Sequence, residues 1–126
     1  MNGRLWIRVG AISGGLAVAA GAFGAHGLET RLEPKMLAVF ETAVKYQMAH
    51  ALALILVGML GTFGRCTRAL DVAGWAFAIG TVLFSGSLYA LVLSDVRILG
   101  AITPIGGVGF LVGWAALASH RVGKEN

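Results

Sequence analysis

Charged and apolar positions alternate along this chain on the scale of a membrane-crossing helix. Asp, Glu, Lys and Arg are absent from four stretches, 9–28, 46–64, 72–94 and 98–120, each 19 to 23 residues long. About 20 apolar residues are enough for a helix to cross the hydrocarbon core of a bilayer. Backbone inside lipid must satisfy its own N–H and C=O groups, and stretches of this length do so as helices rather than barrel strands. The pattern predicts an all-α, four-helix transmembrane bundle with spans at about 5–25, 46–63, 72–93 and 98–119.

Small residues subdivide this pattern. Span one carries Gly10, Gly14, Ala17, Gly21 and Gly24 at 4-3-4-3 spacing, and span four carries Gly106, Gly109, Gly113 and Ala116. Such a seam lets a second backbone come close, and van der Waals contact is what holds helices together in lipid. The spacing leaves open whether the seams pair within one chain or between subunits. In the connection from Gly27 to Phe40, Pro34 suits the first turn of a helix. A helix is expected from there, lying in the interface or extending span two outward. Glu41 and Lys45 follow in the favourable order for an ion pair. Pro104 falls within span four, frees the carbonyl of Gly100 and is expected to kink it. Trp6, Trp75 and Trp114 are placed to act as interface anchors.

Composition agrees, with 57% hydrophobic residues and a mean hydropathy of +0.80. The spans use up most of 126 residues, so a single integral domain, 1–126, is expected, with the lipid bilayer as its surroundings. A net charge of +4 would suggest nucleic acid in a soluble chain. Here the basic residues occupy short loops and tails, where they set topology, and no nucleic-acid partner is implied. One side carries Arg4, Arg8, Arg65, Arg68, Arg121 and Lys124, the other Arg31, Lys35, Lys45 and Arg97. Six against four places both termini in the cytoplasm. A secretory signal ending near Ala20-Gly21-Ala22 is the rival reading, but the apolar run is long for a signal core. Cys66, the single cysteine, rules out an intramolecular disulfide and a cysteine metal site.

Polar residues inside spans are costly and face a partner or a cavity. They are His26, Tyr46, Gln47 and His50, with Lys45 beside them, then Thr81, Ser85, Ser87 and Tyr89, and Thr103 next to Pro104. Counted from the predicted span ends at 1.5 Å per residue, His50 and Thr103 lie roughly 7–9 Å below the outer boundary and Ser85 about 12 Å. They converge on one layer in the outer half. Hydrogen bonds that set helix register are one reading. A small outward-facing pocket for an ion, proton or polar ligand is the other, with His50 as its titrating element. Two histidines without a third clear ligand make a poor metal site. Ser85 or Ser87 with a histidine lacks an evident acid to orient it, so no catalytic residue is assigned and an enzyme is the weakest reading. No cofactor is demanded.

Several strings are distinctive: Gly21-Ala22-Phe23-Gly24-Ala25-His26-Gly27, Thr42-Ala43-Val44-Lys45-Tyr46-Gln47 with His50, Leu83-Phe84-Ser85-Gly86-Ser87-Leu88-Tyr89, Ile102-Thr103-Pro104-Ile105-Gly106-Gly107 and Gly113-Trp114. With them the chain resembles the YgdD-like family of small bacterial inner-membrane proteins, from span one to the end of span four. The resemblance implies four spans and an inner-membrane location, and carries over no catalytic or ligand-binding residue. The expected function is that of a structural or accessory membrane component, in a homo-oligomer or a larger complex. The alternative is a minimal transporter, channel or sensor built around His50.

Overall fold

A computed structural model describes residues 2–122, and Lys124 of the charge count lies outside them. Four helices follow one another: α1 (Gly3–Phe23), α2 (Pro34–Phe63), α3 (Arg68–Ser94) and α4 (Thr103–Ser119). A π-helical turn, Gly24–Leu28, prolongs α1, and a 3-10 turn, Arg97–Ala101, precedes α4. No strand occurs among the described residues. Among the described residues four segments are long and apolar enough to cross a membrane: Gly3–Leu28, Pro34–Phe63, Arg68–Ser94 and Arg97–Ser119.

Local chemistry sets the ends. Asn2 caps α1, its side-chain oxygen accepting from the N–H groups of Arg4 (3.1 Å) and Leu5 (3.4 Å). Thr67 caps α3 by accepting from Leu70 N–H. Asp95 closes α3 in the left-handed conformation at φ 55°, which a short polar side chain tolerates better than most.

One open expectation is decided and two change. Helix α2 runs unbroken for 30 residues from Pro34, about 45 Å at 1.5 Å per residue against about 30 Å of hydrocarbon. The connection therefore extends span two outward rather than lying flat, because nothing after Pro34 breaks the helix. Pro104 does not kink a continuous span. It sits in the first turn of α4, where its missing N–H has no intrahelical partner to lose. Trp6 is no interface anchor: it is 3% exposed and packs on Gly74 and edge-to-face on Trp75.

Helix α1 packs on α2, α2 on α3 and α3 on α4. The inner pair, α2 and α3, is the more buried, and α1 and α4 flank it. Trp6, Leu54, Val57, Leu70, Phe77 and Phe110 build the main core. A second cluster of Leu28, Phe40 and Val92 closes the end where α1 gives way to the π turn.

Both glycine seams are consumed within the chain. A methyl group built on Gly10 would lie 2.6 Å from the Ala51 carbonyl oxygen, and one on Gly24 2.7 Å from the Phe40 ring. Gly14 and Gly21 face Ala51 and Val44 in ordinary contact, and Ala17 is fully buried. In α4, Gly106 abuts the backbone of Phe84, Gly109 that of Gly80, and Gly113 the Phe77 ring. Each outer helix thus uses its small residues to lie close against one inner helix.

Candidate functional site

One turn of α2 reaches all three other helices. The Gln47 amide donates to the Ser13 carbonyl oxygen (3.0 Å) and, more weakly, to the Ser13 hydroxyl (3.4 Å) in α1. Its carbonyl oxygen accepts from the Tyr89 hydroxyl of α3 at 2.6 Å. His50, three residues on, accepts at Nε2 from the Trp114 indole N–H of α4 at 3.0 Å. Its Nδ1 lies 2.7 Å from the Tyr46 carbonyl oxygen. An indole nitrogen only donates and a carbonyl only accepts. The ring is therefore neutral, with its proton on Nδ1.

Aromatic rings enclose this imidazole. Phe110 stacks on it with centroids 3.5 Å apart and planes 9° apart, while Phe77 and Trp114 approach at 5.5 and 5.7 Å. Tyr46 lies beside it, its ring nearly parallel at 6.2 Å, and leans on Phe84. Phe110 covers one face of His50 and both ring nitrogens are engaged in hydrogen bonds, so neither nitrogen is open to a ligand.

The remaining polar groups form separate pairs. Ser85, 1% exposed, donates to the Ala43 carbonyl oxygen at 2.8 Å and so joins α3 to α2. Ser87 donates to Phe84 O at 2.9 Å, so its 2.6 Å contact with Thr103 is a bond donated by the threonine, joining α3 to α4. Thr81 bonds back to Phe77 O. Among the described residues no buried side-chain nitrogen or oxygen lacks a partner. Neither Ser85 nor Ser87 bonds a histidine, and the described residues hold no group of three His, Cys, Asp or Glu placed for a metal ion.

The candidates therefore separate by place. Gln47, His50, Ser85, Ser87, Tyr89 and Thr103 are joined into interhelical contacts, and Tyr46, 41% exposed, lies beside His50. His26, in the π turn, and Lys45 are exposed and stand apart. They do not share one depth. Thr103 opens α4 at its N-terminal end, whereas Trp114 is five residues from its other end, and Phe77 is nine residues, about 14 Å, from the start of α3. His50 meets both, so it lies deeper than a count from Tyr46 suggests. Ser13, Trp114 and Phe110 were missing from the sequence-based set. Ser13 stands out as the one hydroxyl in span one, and the spacing of Phe110 and Trp114 puts both on one face of α4.

A groove of about 730 Å³ opens between α1 and α3. Ile12 and Leu16 form one wall and Val82 and Leu93 the other, with Gln47, Ser85 and Tyr89 on the floor. Its surface is overwhelmingly apolar, and His50 does not line it.

Among the described residues, four apolar helices with every buried polar side chain bonded define a multi-pass integral membrane protein. Sequence relatives agree. The chain belongs to the family described as "Protein of unknown function (DUF423)", whose model matches residues 20–107. It is 49% identical over 119 residues to the UPF0382 membrane protein YwdK of Bacillus subtilis, covering 94% of this chain and 97% of that one. It is 50% identical over 114 residues to a UPF0382 membrane protein of Staphylococcus haemolyticus, covering 90% and 92%, and 49% identical over the same length and shares to one of Staphylococcus epidermidis. No solved structure matches.

Proposed function

We propose that this protein is a structural or accessory component of the bacterial inner membrane, acting as a homo-oligomer or within a larger membrane complex. It forms one integral domain with both termini in the cytoplasm, and within its family it stands with the YgdD-like proteins. The observation that carries this reading is the closure of the polar network. Gln47 and His50 spend their hydrogen-bonding capacity on Ser13, Tyr89, Tyr46 and Trp114, which fixes helix positions. A transporter or sensor built around His50 is not favoured, because the 730 Å³ groove between α1 and α3 is apolar and His50 does not line it.

The native mass of the purified protein, beside a pull-down from its own membranes, tests this. A homo-oligomer or a stoichiometric membrane partner is expected. A monomer that recovers no partner and conducts a solute in liposomes would refute it.

A further inference from the structure

The groove between α1 and α3 has a definite reach and a closed end. On α1 it runs from Val9 to Phe23, about 21 Å at 1.5 Å per residue. Just before Val9 the two helices meet, with Trp6 of α1 on Gly74 and edge-to-face on Trp75. The volume of about 730 Å³ sets the size of an occupant. A cavity of about 150 Å³ takes the six carbons of benzene, so at that density this groove takes at most about 29 heavy atoms. That suits one long hydrocarbon chain with a small head and falls short of a two-chain phospholipid.

Charge and hydrogen bonding narrow the occupant further. None of the described residues lining the groove is charged, so a charged group buried there would lack a partner. Two hydroxyls keep unused capacity. Thr62 and Thr81 donate to the carbonyl four residues back in their own helices, a usual outlet for a hydroxyl within a helix. Ser13 instead accepts from Gln47 at 3.4 Å, and its own proton meets no acceptor among the described residues. Tyr89 gives its proton to the same Gln47 amide, and no described donor reaches the lone pairs of its oxygen. Both residues line the groove, a free donor and a free acceptor on either side of one amide. A hydroxyl both accepts and donates, so a single alcohol oxygen answers both. A carbonyl or ether answers only Ser13, and a hydrocarbon neither.

We propose that this groove binds one uncharged long-chain alcohol, its oxygen accepting from Ser13 and donating to Tyr89. Its chain lies between Ile12 and Leu16 on one wall and Val82 and Leu93 on the other. Straight and isoprenoid alcohols share this chemistry, and competition separates them. The bilayer delivers such a molecule directly, because Ile12, Leu16 and Val82 are exposed on membrane-crossing stretches of α1 and α3. The site is complete within one chain, so it stands whether or not the protein works in an assembly.

The test is photocrosslinking of the full chain in phosphatidylcholine liposomes, using 1-hexadecanol with a diazirine in its chain and the methyl ether of the same probe. The expected result is saturable labelling of segments 9–23 and 78–93, with the alcohol about fivefold ahead of the ether, roughly the value of one hydrogen bond. Tyr89→Phe should erase that margin. Ser13→Ala should weaken both probes about fivefold and keep the margin. Gln47 still holds the backbone oxygen at position 13 in that variant, so the bundle stays intact. Val82→Trp, filling the mouth, should abolish labelling, and Val108→Trp on the exposed face of α4 should leave it unchanged. Unlabelled 1-hexadecanol or geranylgeraniol should displace the probe, and the stronger competitor identifies the chain type. Displacement by neither would overturn the site. Equal labelling by alcohol and ether, indifferent to Ser13→Ala and Tyr89→Phe, would mean that any lipid chain fills the groove and would overturn the proposal.

Discussion

Trp114 and His50 lie 64 positions apart in the chain, and the indole N–H of one meets Nε2 of the other at 3.0 Å. This contact holds α4 to α2, two helices that do not adjoin in sequence. Truncating one partner should therefore loosen the bundle. His50→Leu is expected to lower stability by about 1–3 kcal/mol, the cost of stranding a donor and losing a stacked ring. His26→Leu, at an exposed turn, should stay within about 0.5 kcal/mol. Thermal unfolding in detergent compares them, and equal effects would count against the contact.

Gln47 and Tyr89 supply a second pair open to a double-mutant cycle. Interhelical hydrogen bonds in membrane bundles average about 0.6 kcal/mol and reach about 1.7. At 2.6 Å and with Gln47 bonded on both sides, the Gln47→Leu/Tyr89→Phe coupling is expected in the upper part of that range. Additive losses would show that the two groups act separately.

The glycine seams make a contrast within one helix. Gly10→Ala forces a methyl group to 2.6 Å from backbone oxygen and should destabilise by about 1–3 kcal/mol. Gly15→Ala enters open space and should be neutral or stabilising by up to about 1 kcal/mol, because alanine orders a helix at lower entropic cost. The order of the two melting temperatures settles the matter, and a reversed order would mean that the seam is not what holds α1 to α2.

Topology is checked with reporters fused after the C-terminus. A cytoplasmic reporter should be active and a periplasmic one silent, following the six-to-four distribution of Lys and Arg. The opposite activities would place both termini outside.

The helices were legible in the charge gaps because the bilayer itself imposes that pattern. Their lengths were not, since Arg4, Arg8, Glu41 and Lys45 lie on helix faces that remain exposed, where long charged side chains are tolerated at helix ends. Pro104 misled because a short 3-10 turn of apolar residues reads the same as a helix until its hydrogen bonds are seen. Gln47, His50, Ser85 and Tyr89 could be named from their cost in lipid. Their partners could not: Ser13 carried no signal of its own pairing, and Trp114 read as an interface anchor. Only the order in which the helices pack brings Ser13 to Gln47 and Trp114 to His50.

The central claim is that the polar side chains within the spans are sealed against one another. Substituted-cysteine accessibility tests it most directly. With Cys66→Ser as the background, His50→Cys, Ser85→Cys and His26→Cys are exposed in intact membranes to a water-soluble, membrane-impermeant thiol reagent. A sealed network predicts rapid labelling at the exposed position 26 and none at 50 or 85. Labelling at 50 and 85 at rates close to that at 26 would reveal a water-filled pocket and contradict it.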